Sequence, residues 1–142
     1  MSLTEAQRTY LEQNHGAAMI TLRPDGTPTA VRIGLALVDG QLWSSGTQDR
    51  RRTANLRRDP RSTLFVYEGA GFRYLTIEAR VAILEGPDAP ELNLHLFRVM
   101  QNRPTGPILW NGVDTPEPEF LTRMLAEKRL IYQFDPVRAY GL

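Results

Sequence analysis

Ser44-Ser45-Gly46-Thr47-Gln48-Asp49-Arg50-Arg51-Arg52-Thr53-Ala54-Asn55-Leu56-Arg57-Arg58-Asp59-Pro60 is the stretch on which the reading of this chain turns. It passes from a hydroxyl-rich strand end through a short loop into a helical segment from about Asp49 to Arg58. Pro60 stops the helix, because proline cannot donate a backbone hydrogen bond and restricts the residue before it. The charge order is unusual. A helix N-terminus already carries partial positive charge, so its first turn is ordinarily acidic. Here it holds Arg50, Arg51 and Arg52. An anion in front of that turn accounts for them, held by backbone N–H groups and by the two-point grip of guanidinium forks. Ser44, Ser45 and Thr47 would add hydroxyl donors. The competing reading is a solvated arginine face answered by Asp49 and Asp59. Apolar content is thin, with Ala54 and Leu56 as the core candidates.

Upstream, Thr4 and Gln7 fit a capping box for an N-terminal helix with Tyr10 and Leu11 on its apolar face, and Gly16 suits its end. Ala17 to Leu22 reads as a strand and Arg23-Pro24-Asp25-Gly26 as a tight turn. Thr27 to Val38 reads as one long second strand, Asp39-Gly40 as a two-residue hairpin turn, and Gln41 to Ser45 as a third strand. Downstream, Ser62 to Glu68 and Phe72 to Leu84 read as strands around Gly69-Ala70-Gly71. Asp88 to Gln101 reads as a helix, with Leu92, Leu96, Val99 and Met100 at helical spacing. Residues 102–118, with four prolines, read as a lid or binding loop. Glu119 to Lys128 is then a helix, and Arg129 to Phe134 a sixth strand. Meanders with few helices specify an α+β fold, mostly antiparallel β, of the small-barrel kind. A length of 142 residues is enough for one core, so residues 1–142 are read as a single domain.

Composition removes several function classes. With no cysteine and only His15 and His95 as histidines, thiolate nucleophiles, disulfides and His/Cys metal centres are excluded, and no metal site is expected. Both histidines read as packed or capping residues. No apolar run approaches the ~20 residues of a bilayer span and no leader opens the chain, so a cytoplasmic protein without membrane contact is expected. Net charge is +1, although 16 of the 17 basic residues are arginine. Near-neutrality and the lack of aromatics among the clustered arginines argue against nucleic acid. Neither a GxGxxG nor a GxxxxGK[ST] cradle occurs, and no acid–base pair is readable, so no side chain is assigned a catalytic role.

The run Arg50-Arg51-Arg52-Thr53-Ala54-Asn55-Leu56-Arg57-Arg58-Asp59-Pro60-Arg61 resembles the R-x-K-x-x-N-L-R-R-D-P-R signature of the flavin/deazaflavin oxidoreductases, within the pyridoxamine-phosphate-oxidase-like split β-barrels. Thr21 to Pro28 is similar to the family's first hairpin, Phe72 to Ala79 to its aromatic strand, and Tyr140-Gly141-Leu142 to its C-terminal ending. The resemblance implies a split barrel and a homodimer with cofactor sites at the interface. It also implies coenzyme F420 or FMN as cofactor and a small-molecule acceptor, unsaturated or quinone-like. By position, Ser45, Arg50, Arg52 and Thr53 would meet the cofactor phosphate, with Arg51 in the same arginine field. Arg32, Ile33 and Gly34 would pass beside the ring system, and Tyr74 would come near it. Arg52 stands where the family often has lysine, keeping the charge and changing the donor geometry. A field as wide as Arg50, Arg51, Arg52, Arg57 and Arg58, the last two turned partly away by helical spacing, suits the polyanionic tail of F420 better than the single phosphate of FMN. Trp110 is a candidate wall over the ring, or a packing residue. A split barrel that stores a tetrapyrrole without turnover is the reading from another class.

Overall fold

Thr4 begins the first helix as its sequence requires: its hydroxyl accepts from the Gln7 N–H at 3.1 Å, and the Gln7 side chain accepts from the Thr4 N–H at 2.9 Å. The computed structural model describes residues Met1–Leu142. Its elements run α1 (Glu5–Gln13), β1 (Gly16–Leu22), β2 (Pro28–Gly34), β3 (Ala36–Val38), β4 (Gln41–Thr47), α2 (Arg51–Arg58), β5 (Arg61–Tyr67) and β6 (Tyr74–Leu84). They continue through α3 (Ala89–Gln101), β7 (Ile108–Trp110), β8 (Val113–Thr115), α4 (Glu117–Ala126) and β9 (Arg129–Tyr140).

Seven strands form one antiparallel sheet in the order β2-β1-β5-β6-β9-β4-β3. The two edge strands are separated in sequence by Leu35 alone, so the sheet must curl until its edges nearly meet. Ser44 Oγ donates to the Gly34 carbonyl at 2.7 Å across that seam, and the Leu35 N–H donates to the His15 carbonyl at 2.8 Å. The result is an α+β split barrel. Thr27 to Val38, expected as one strand, is therefore two: β2 pairs with β1, and β3 crosses to pair with β4. Two further differences concern length. The last strand runs on to Tyr140, because β6 is long enough to pair with it as far as Thr76. Residues 102–118 contain the β7–β8 hairpin rather than an open loop.

Alternation along the strands turns Met19, Leu64, Val66, Leu75, Ile77, Tyr132 and Phe134 into the barrel, where Tyr10 and Leu11 of α1 complete the packing. A second cluster seats α3 on β3, β4 and β9 through Val38, Trp43, Leu96 and Ile131. A third, of Leu94, Ile108, Phe120 and Met124, fastens α4 and the hairpin to α3. Each such side chain stabilises the fold by roughly 1.5–3 kcal/mol relative to exposure. No helix is long and apolar enough to cross a membrane.

Candidate functional site

Strand β4 carries the chain to the rim of the barrel and α2 begins there, uncapped by any side chain and with Arg50 in the N-cap position. The helix has little apolar surface, and polar contacts hold it instead. Thr53 is buried; its hydroxyl donates to the Thr47 carbonyl at 2.7 Å and so accepts from the Tyr132 hydroxyl at 2.5 Å. Asn55, also buried, donates to Thr21 Oγ1 at 3.1 Å. Leu56 enters the core as expected, whereas Ala54 faces solvent. The α2 entry is thus bolted to β9 and β1, and its first-turn N–H groups have no acceptor within the helix.

In front of them lies an open cleft of about 930 Å³. One wall is Arg50, Arg51 and Arg52 with the 47–49 loop; another is the α4–β9 junction with Lys128 and Arg129; Thr29 and Val31 of β2 supply the floor. Five cations face it against two acids, Asp49 and Glu127. Glu127 is taken by Arg129, with Nη2 at 2.8 Å and Nε at 2.9 Å. Asp49 accepts from Thr47 Oγ1 at 2.6 Å, a bond that, with Arg50 and Lys128 nearby, holds its carboxyl below the usual carboxylate range. Arg50, Arg51 and Lys128 have no ion-pair partner. Arg52 is half-buried. Its Nε is buried without an acceptor, Nη2 reaches the Ser45 carbonyl only at 3.5 Å, and the guanidinium lies 5.7 Å from the Tyr132 ring. Burial pushes its pKa down. An orphaned guanidinium donor beside unpaired like charges is a site shaped for an anion.

The six arginines of the 50–61 window divide sharply. Arg57 grips Glu85 with two bonds of 2.8 and 3.0 Å, Arg58 donates to the Leu22 carbonyl and to Asn55, and Arg61 pairs with Asp59 at 2.7 Å. These three hold α2 in place and do not face the cleft. The hydroxyls also have partners within the protein, Ser45 Oγ accepting from Arg129 at 3.4 Å as well. Ser44 bonds Gly34, Thr47 bonds Asp49, and Ser45 donates to Asn93 Oδ1 of α3 at 2.5 Å.

The sequence-derived residues therefore fall into three groups. Arg50, Arg51 and Arg52 share the cleft. Ser45 is half-buried behind them, Thr53 is fully buried, and Ile33 faces the barrel core. Arg32 and Gly34, with Ile33 between them, line a separate hollow with His15, and Tyr74 stacks on Phe65 at 5.3 Å on the outer face of the sheet. Arg32, Ala18, Phe65, Thr76 and Tyr140 form one row across that face through the strand register. Trp110 is a packing residue, set edge-on against Phe97 and Phe120 with the Arg129 guanidinium 5.1 Å away. Lys128 and Arg129 were missed. Pairing of Thr47 with Arg129 brings them to the cleft, and sequence proximity carries no trace of it.

At the far end of α2, Arg61 donates from Nε and Nη2 to the two oxygens of Asp59 at 3.0 and 2.7 Å, which holds that carboxyl at about 2. A carboxyl depressed in the fold contributes stability above its unfolded pKa and loses it as pH falls through its folded value. Wild-type Tm is expected to drop between pH 4 and pH 2 more steeply than that of Asp59→Asn. Identical acid limbs in paired melts would contradict this.

A family model described as Pyridoxamine 5'-phosphate oxidase matches residues 3–124. Among solved structures, one titled F420 Reductase is 21% identical, with a TM-score of 0.71, over 97% of this chain and 98% of that one. A conserved hypothetical protein from Mycobacterium tuberculosis is 22% identical, TM-score 0.73, over 98% of this chain and 84% of its own. The heme storage protein HutZ from Vibrio cholerae is 15% identical, TM-score 0.68, over 99% and 95%. No curated protein matches the chain.

Proposed function

The chain belongs to the pyridoxamine 5'-phosphate oxidase family of flavin/deazaflavin split barrels, and on that premise we propose that it is an F420-dependent oxidoreductase, passing a hydride between coenzyme F420 and a small unsaturated or quinone-like acceptor. The observation that carries the reading is the cleft, where Arg50, Arg51, Arg52 and Lys128 stand unpaired around an orphaned Arg52 Nε. A wide field of free cations fits a ligand with several separated negative groups. The fold likeness to an F420 reductase supports the same choice.

In this reading Arg50, Arg51 and Arg52, with the α2 amides, hold the phosphate and acidic tail. Thr53 and Ser45 act by positioning, since their hydroxyls are spent on Thr47 and Asn93. Arg32, Gly34 and Tyr74 lie on the outer sheet face, so they would serve a cofactor held by a second copy. That face exposes Phe65, Tyr74 and Tyr140, each 37–46% accessible, as a surface for a homodimer. Bound deazaflavin supplies the hydride chemistry from its own ring, so the chain needs no acid–base pair. Its residues bind, orient and exclude water.

FMN is the second reading, since Arg52 and the α2 amides alone would satisfy one terminal phosphate. The test is a fluorescence titration of wild type and Phe65→Asp with F420 and with FMN, alongside sedimentation. Wild type is expected to be a dimer binding F420 at least about tenfold more tightly than FMN, and Phe65→Asp a monomer that binds both weakly. Tighter FMN binding moves the assignment to a flavin enzyme. Saturable binding of either cofactor without transfer to any acceptor moves it to a storage protein, and no response to F420 removes it.

A further inference from the structure

Four residues other than glycine have positive φ: Asp39, Asn102, Asn111 and Lys128. Asp and Asn tolerate the left-handed region because their short side chains bond locally. Lys128, at φ +54°, has no such help. It occupies the position just past the end of α4, where glycine is the ordinary choice, and it is the chain's one lysine beside 16 arginines. Its backbone is used on both sides. The N–H donates to the Leu125 carbonyl at 3.1 Å, and the carbonyl accepts from the Gln48 N–H at 3.1 Å, which ties this turn to the loop leading into α2. Glycine would make both bonds at lower conformational cost. What glycine lacks is the ammonium, which has no ion-pair partner, belongs to a residue lining the cleft with the α2 arginines and acts on Asp49 of the same cleft.

We propose that Lys128 is a specificity residue, a second anion contact held at the price of backbone strain, which tunes the cleft to ligands carrying at least two separated negative groups rather than one phosphate. The proposal rests on the reading of the cleft as an anion site and deepens it by assigning the choice of a multiply charged ligand over a single phosphate to one residue. The compact, rotatable ammonium can follow a flexible chain of anionic groups, whereas Arg52 offers a fixed fork to the group bound first.

The test uses two simple probes at low ionic strength, where such contacts are least screened. Wild type, Lys128→Ala, Lys128→Gly and Lys128→Arg are titrated with orthophosphate and with tripolyphosphate, then with F420, and each is melted. The preference for tripolyphosphate over orthophosphate is expected to fall about tenfold in the alanine and glycine variants and to survive in the arginine variant. Lys128→Gly should also melt about 3 °C higher than wild type, as release of left-handed strain requires. Equal losses for both anions, no loss for either, or a glycine variant that melts lower than wild type would overturn the proposal. A wild type that prefers tripolyphosphate yet ignores F420 would count against the deazaflavin reading alone, because the ratios still report on Lys128.

Discussion

Replacing Arg52 by alanine is expected to weaken F420 binding about 100-fold or more while leaving Tm nearly unchanged. Most arginine truncations at a structural position do the opposite. Without its ligand, this guanidinium has a buried Nε that meets no acceptor and one long contact to the Ser45 carbonyl. Burial lowers its pKa, and Arg50 and Arg129 add like charge around it. The guanidinium is partly desolvated and held only by that long contact and the face of Tyr132, so its removal costs the free protein little. A bound anion changes the balance. Two charge-assisted hydrogen bonds at about 1.5–3 kcal/mol each make the guanidinium a principal anchor, and losing them accounts for a factor of about 100. Arg52→Lys should fall between, about tenfold weaker, since the charge stays and the fork goes. The measurement is a cofactor titration paired with a thermal melt. Unchanged affinity together with a Tm several degrees lower would make Arg52 a structural residue and remove the central support for the cofactor site.

That pairing of orphaned charge and preserved stability was only half legible in the sequence. Local chemistry was readable where neighbours in sequence decide the outcome. The Thr4–Gln7 box, the Asp39-Gly40 turn, the Pro60 stop and the arginine-loaded first turn all stand in the structure as their residues imply. The partners of those arginines were not readable. Arg57 finds Glu85 and Arg58 finds the Leu22 carbonyl, contacts set by how β1, β5 and β6 stack and not by any spacing. Lys128 and Arg129 join the cleft through the β4–β9 register in the same way. The split at Leu35 was hidden because the run from Ile33 to Val38 is apolar straight across it; only closure of the sheet forces the break. One signal was present and overlooked. Asn111-Gly112, with φ of 50° and 78°, is a primed two-residue turn between Trp110 and Val113, masked by the prolines around it.

The thin apolar face of α2 leads to the second large effect, at Gly46. This residue has ordinary strand backbone, and its requirement for glycine is one of space. A Cβ there would lie well under 3.0 Å from the ring and hydroxyl of Tyr132. Tyr132 has little freedom to yield. It is fully buried, and its hydroxyl is fixed on Thr53, which is fixed on the Thr47 carbonyl. Gly46→Ala must therefore displace a packed ring and break a buried hydrogen-bond chain. Overpacking of this kind costs about 1–3 kcal/mol, and a buried hydroxyl left unpaired about 1–3 more. A loss near 3 kcal/mol corresponds to a Tm lower by about 10 °C for a chain of this size. The damage should reach the cleft as well, because the same chain sets the entry of α2 and supports Arg52, so cofactor affinity of the folded variant is expected to fall about tenfold. Tyr132→Leu supplies the control. It removes the hydroxyl and half the ring, so the Gly46→Ala/Tyr132→Leu double variant should be less destabilised than the sum of the singles by about 1–2 kcal/mol. Strict additivity would mean that the two residues do not meet as described and that α2 is held by something other than the Tyr132–Thr53–Thr47 chain.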